Sequence, residues 1–119
     1  MGPSVQIFGV KGSQATRAAE RFFKERRVQI HYVDLQKKAL APGEIKRFAD
    51  RFGGLAGLLD KECKEFVDAG LKYLKVSESE LLTRIERTPK LLRLPLVRGA
   101  GKRLAVGHDE AAWKAMLEP

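Results

Sequence analysis

The chain has 119 residues, of which 44% are hydrophobic, and a formal net charge of +8. This size and composition predict one soluble domain that buries a core without disulfides or a structural metal. The single cysteine, Cys63, excludes an intrachain disulfide, and no Cys/His set has the spacing of a zinc site. No apolar stretch reaches the length of a membrane span. We therefore expect a cytoplasmic protein without bound metal or membrane contact.

The chain opens with the pattern of a strand, a short loop and a helix. Residues 5–9 are apolar with a β-branched bias, and residues 14–27 predict a helix that starts just after Ser13. At a helix N-terminus, unpaired N–H groups and the positive end of the helix dipole stabilise a thiolate or an anion. Ser13 is either an N-cap or an unusual nucleophile, and the second role needs a general base. The only histidines are His31 and His108, and we predict that neither is catalytic.

This first helix is predicted to be amphipathic. Its apolar stripe is expected to face the sheet and consists of Ala15, Ala18, Ala19, Phe22 and Phe23. Its basic residues are expected to point away from the sheet, namely Arg17, Arg21, Lys24 and Arg27. Residues 28–35 alternate as a second strand, so the opening predicts a parallel βαβ unit.

The middle of the chain predicts a helical insertion over residues 42–88. Pro42 is typical of the first position of a helix, and Ser77 with Glu80 forms the pattern of a capping box at the start of the last helix. Pro89 is expected to stop that helix.

The end of the chain predicts two short strands and a helix. Residues 94–98 and 103–106 are expected to pair as a β-hairpin across a glycine-containing turn, and Asp109 is expected to cap the final helix. The order βαβ, helices, ββα is that of an α/β protein with a thioredoxin-like mixed sheet. We therefore predict a single thioredoxin-like domain over residues 1–119 with the helical insertion within it.

Three segments resemble a known family. They are Ile-Phe-Gly-Val-Lys-Gly-Ser at 7–13, Thr-Pro-Lys-Leu-Leu-Arg-Leu-Pro-Leu-Val at 88–97 and Arg-Leu-Ala-Val-Gly-His-Asp-Glu at 103–110. With the order of elements, they resemble the ArsC and Spx family of arsenate reductase-like proteins over nearly the whole chain. The resemblance implies a thioredoxin fold and a cis peptide bond at Pro95.

The family's catalytic residues are missing from the matching positions. The resemblance places the nucleophilic cysteine at Ser13 and the second cysteine of the Spx-type pair at Thr16, and it places an arginine where Leu94 stands, with Arg93 one place away. We therefore expect a catalytically inactive member, a pseudoenzyme without cofactor that acts as a binding or regulatory module. The degenerate active-site positions are Lys11, Gly12, Ser13, Thr16, Leu94 and Pro95.

The alternative is a thiol-dependent, arsenate reductase-like enzyme that uses glutathione. It would work through Cys63 or an unusual Ser13 site. Lys61 and Lys64 would lower the pKa of the Cys63 thiol if they lie close to it. The other interpretation of Cys63 is a small buried apolar residue.

A run of basic residues is the candidate binding face. A solvated surface is the simplest interpretation, and the resemblance to Spx-type proteins, which bind RNA polymerase, implies an acidic protein partner such as transcription machinery. Aromatic residues are absent from the run, which argues against stacking on single-stranded nucleic acid, although nucleic-acid binding with a steep salt dependence stays an alternative. The run consists of Arg84, Arg87, Lys90, Arg93, Arg98, Lys102 and Arg103.

Overall fold

The structure is a computed structural model that describes residues 4–71, 75–100 and 103–118. The chain divides into two compact units, which we call the sheet unit (1–38 and 94–119) and the helical unit (39–93). The predicted insertion, 42–88, lies inside the helical unit.

The sheet unit contains four strands in the order β2-β1-β3-β4. They are β1 (Ser4–Gly9), β2 (Gln29–Asp34), β3 (Leu96–Arg98) and β4 (Leu104–Val106). Strand β1 pairs in parallel with β2 and antiparallel with β3, and β3 pairs antiparallel with β4. The predicted α/β class, with a βαβ unit followed by a hairpin, is confirmed.

Helix α1 (Gln14–Glu25) is shorter than predicted, and it buries Ala19, Phe22 and Phe23 of the predicted stripe together with Thr16. It ends before Arg27, whose positive φ of 58° is incompatible with a continuing α-helix. Thr16 is fully buried, whereas Ala15 and Ala18 are only half-buried. The helical periodicity of the apolar residues identified the helix correctly but did not include Thr16. The burial of Thr16 depends on the neighbouring strand.

The core of the sheet unit lies between the sheet, α1 and α5 (Glu110–Ala115). Trp113 of α5 is fully buried, and its ring centroid lies 5.4 Å from that of Phe22 and 6.1 Å from that of Phe23. Val5 and Ile7, which share one face of β1, belong to the same cluster. Burial of each such large side chain contributes roughly 1.5–3 kcal/mol, so this cluster anchors the loops at the ends of the strands.

The helical unit contains α2 (Pro42–Arg51), α3 (Lys64–Asp68) and α4 (Glu78–Arg87). The predicted cap of α4 is present, because the Ser77 hydroxyl accepts a hydrogen bond of 3.2 Å from the Glu80 N–H. None of the helices among the described residues combines the length and apolar character that a membrane crossing requires.

Candidate functional site

The degenerate active-site positions lie at one edge of the sheet, where strand ends meet. Strand β4 runs parallel to β1, since both are antiparallel to β3, and Leu96 lies opposite both Phe8 and Val106 in the register. The carboxyl ends of β1 and β4 and the start of β3 therefore share one edge. The loop that ends at Ser13, the residue Pro95 and the turn after β4 all lie there.

Ser13 is the N-cap of α1. Its hydroxyl oxygen accepts a hydrogen bond of 3.1 Å from the N–H of Thr16, and its carbonyl accepts one of 3.1 Å from the N–H of Arg17. Its own N–H donates to the Val10 carbonyl at 3.1 Å and closes the preceding turn. A serine hydroxyl in this position satisfies helix donors, but it becomes a nucleophile only beside a general base.

Neither histidine is placed as that base. His31 lies opposite Gln6, three residues before the end of β1, which corresponds to roughly 10 Å along the strand. His108 stacks on Trp113 with ring centroids 5.1 Å apart, and its Nε2 lies 3.5 Å from a Glu110 oxygen. In the part of the chain that the structure describes, neither imidazole hydrogen-bonds to Ser13.

Thr16 is a core residue. It has no exposed surface, and its Oγ1 has no hydrogen-bond partner among the described residues. Its side chain fills the space over Gly9, where an added Cβ would lie 2.5 Å from both Cγ2 and Oγ1 of the threonine. Apart from the glycine at the end of β1, nothing in the amino-acid pattern indicates this contact.

Leu94 and Pro95 are both buried and are joined by a cis peptide bond, as the family resemblance implied. The Pro95 carbonyl accepts a hydrogen bond of 2.9 Å from the N–H of Gly107. Arg93, the nearest arginine in sequence, belongs to the helical unit, where its exposed guanidinium donates to the Gly57 carbonyl at 3.3 Å. The position before the proline thus provides an apolar side chain where the resemblance implied a cation.

Cys63 is neither activated nor fully buried. It is half-buried at the N-cap of α3, and its Sγ accepts a hydrogen bond of 3.3 Å from the Phe66 N–H. Burial raises the pKa of the thiol, and the nearby carboxylates of Asp60 and Glu65 add to this rise. The direction of this pKa shift is opposite to the one that close lysines would produce, and the Cys63 side chain is half-buried, where the other interpretation has it buried.

The predicted basic face is divided between the two units, and several of its members are bonded within the chain. Arg84 contacts the Glu80 carboxylate at 3.2 Å on α4. The Arg103 guanidinium donates to the Ala115 carbonyl and, at 2.6 Å, to the Glu118 carbonyl, which satisfies acceptors at the end of α5. Lys102 lies outside the described residues.

The comparisons with known proteins agree with this architecture. The sequence model of the ArsC family matches residues 8–116. The arsenate reductase from Vibrio cholerae has 15% identity and a TM-score of 0.75, with 96% of each chain covered. The YffB (PA3664) protein has 17% identity and a TM-score of 0.80, with 96% of this chain and 99% of that one covered. An arsenate reductase (ArsC) related protein from Brucella melitensis has 19% identity and a TM-score of 0.64, with 94% and 92% covered.

At these identities the structural matches establish a shared fold and nothing finer. No curated protein sequence matches the chain.

Proposed function

We propose that this chain, which belongs to the ArsC family, has kept the family scaffold, has lost thiol redox catalysis and acts as a binding or regulatory module. The observation that carries this proposal is the role of Ser13. Ser13, which the resemblance places at the family's nucleophile position, uses its side-chain oxygen to cap α1.

The chemistry of arsenate reduction supports the proposal. Reduction of arsenate to arsenite takes two electrons, which thiols supply as they are oxidised to a disulfide. A serine hydroxyl cannot supply them, and it is a weak nucleophile without a base. The buried Leu94 also offers no charge-assisted hydrogen bond to an oxyanion, in contrast to an arginine.

The alternative enzyme works through Cys63, whose thiol is half-buried and therefore partly accessible. Its raised pKa leaves little thiolate at neutral pH, and the thiolate is the reactive form. This argument favours the binding module over a reductase.

We propose a protein partner with an acidic surface, in the cytoplasm and without a cofactor. The net charge of +8 favours association with acidic molecules and accelerates their encounter. Spx-type relatives suggest transcription machinery as a partner by analogy alone.

The test is a thiol-exchange assay with glutathione and arsenate on the purified chain, beside the Ser13→Ala and Cys63→Ser variants. We expect all three proteins to give the rate of the protein-free blank. Turnover by the wild-type chain that is lost in Ser13→Ala would identify Ser13 as part of an active site. Turnover lost only in Cys63→Ser would establish the reductase alternative instead.

A further inference from the structure

The exposed face of α1 carries an unpaired basic stripe. We use the name α1 stripe for Arg17, Arg21 and Lys24, which follow one another at spacings of four and three residues and therefore lie on one side of the helix. All three are exposed. Within residues 4–71, 75–100 and 103–118, none of their side chains makes an ion pair or a hydrogen bond.

Several other cations of the chain are bonded within it. Arg26, just after α1, lies 3.7 Å from the centroid of the Phe22 ring and donates to the Phe22 carbonyl. Arg84 and Arg103 are also bonded within the chain. By contrast, the α1 stripe places like charges at i, i+3 and i, i+4 spacings, which are mildly destabilising in a helix. Glu20 and Glu25 lie on the same helix, at spacings of three or four residues from these cations, but neither forms an ion pair with them among the described residues.

We propose that the α1 stripe binds an acidic helix of a partner protein, with carboxylates repeated at the same spacings of four and three residues. The stripe extends over about 10 Å, since a helix rises 1.5 Å per residue, and a second helix presents its own side chains at the same rise. Carboxylates at matching positions lie opposite each cation. This inference rests on the proposed function in one respect, because it gives the binding module a surface.

An acidic protein fits this surface better than nucleic acid or a lipid bilayer does. The exposed carboxylate of Glu25 adjoins Lys24, and a protein partner can supply a cation for it, whereas a phosphate backbone cannot. Three cations are also few compared with the six to ten phosphate contacts of typical nucleic-acid binders. The apolar side of α1, with Phe22 and Phe23, is buried in the core, so the helix has no apolar face to insert into lipid.

The experiment measures the anisotropy of a fluorescein-labelled synthetic helical peptide with glutamates at these spacings, titrated with the purified chain. The test variant is the triple substitution Arg17→Gln, Arg21→Gln, Lys24→Gln. The matched control neutralises exposed cations of the helical unit by the same total charge, and it is Lys46→Gln, Arg51→Gln, Lys64→Gln. Thermal melts verify that both variants fold.

We expect the test variant to bind the peptide about tenfold more weakly than wild type, from the loss of three exposed ion pairs, while the control stays within about twofold. Equal weakening in both variants would overturn the proposal, because net charge alone would then explain binding. The proposal would also be overturned if the wild-type chain bound a second peptide, of the same composition but with scrambled glutamate positions, as tightly as the first. Tighter binding to a DNA duplex, lost in the same test variant, would refute the acidic helix as the partner.

These outcomes separate the surface from the proposed function. Arsenate turnover by the wild-type chain would refute catalytic inactivity and leave the peptide result standing. Failure of the peptide to bind would show that the α1 stripe is not a partner surface. It would not change the conclusion about catalytic inactivity, which rests on the turnover assay.

Discussion

Replacement of Ser13 distinguishes a capping residue from a catalytic one by the sign of the stability change. The Ser13→Ala variant loses the acceptor of the 3.1 Å hydrogen bond from the Thr16 N–H. Loss of a serine N-cap typically costs about 1 kcal/mol of unfolding free energy. In a chain of this size, that corresponds to a fall in Tm of roughly 3–6 °C.

Two further variants complete this test, which is read by urea unfolding at neutral pH. Ser13→Asp keeps an acceptor and adds negative charge to a first turn that has no acidic residue, so we expect wild-type stability or a gain of about 0.5 kcal/mol. Ser4→Ala, at an exposed position at the start of β1, should change the unfolding free energy by less than about 0.5 kcal/mol.

A gain of stability in Ser13→Ala would refute the capping argument. Residues kept for catalysis commonly cost stability, and their replacement by alanine then stabilises the fold. An unchanged unfolding free energy would show that the hydroxyl contributes no net capping.

Three other predictions follow from the described contacts. Gly9→Ala should lower the unfolding free energy by about 1–3 kcal/mol, because the added methyl group overlaps the Thr16 side chain. In a double-mutant cycle, Thr16→Ala should recover most of this loss. A loss that persists in the double variant would contradict the contact. Cys63 should react with iodoacetamide near neutral pH more slowly than free cysteine does. Since the folded chain holds the thiol proton more tightly than the unfolded chain, unfolding free energy should also fall as pH rises past the ordinary thiol range, and this fall should be smaller in Cys63→Ser. Arg103→Gln should lower the unfolding free energy by about 1 kcal/mol, whereas a surface cation that only binds a partner would leave it unchanged.

Residues close together in the sequence were sufficient to predict the order of the strands and helices and the residues that cap three of the helices. Ser13, Ser77 and Asp109 were each expected at a helix start, and each accepts a hydrogen bond from the third residue of its helix. Such caps depend on residues three positions apart, which a sequence displays directly. The βαβ order and the hairpin likewise follow from alternation and turn residues in short segments.

The features that the sequence did not predict depend on contacts between distant segments. Thr16 is buried because Gly9 leaves room for it, and polarity alone argues for the opposite. Arg103 caps a helix end that lies twelve or more residues further along the chain. The sequence places both lysines and carboxylates near Cys63, but in the folded chain it is burial and the charges of Asp60 and Glu65 that raise the pKa of its thiol.

The most direct measurement of catalytic loss is the rate of arsenite formation from arsenate and glutathione by the purified wild-type chain. With Ser13 capping α1 and the buried, apolar Leu94 before Pro95, we predict a rate equal to that of the protein-free blank. A rate above the blank that falls on Ser13→Ala replacement would contradict the loss of catalysis.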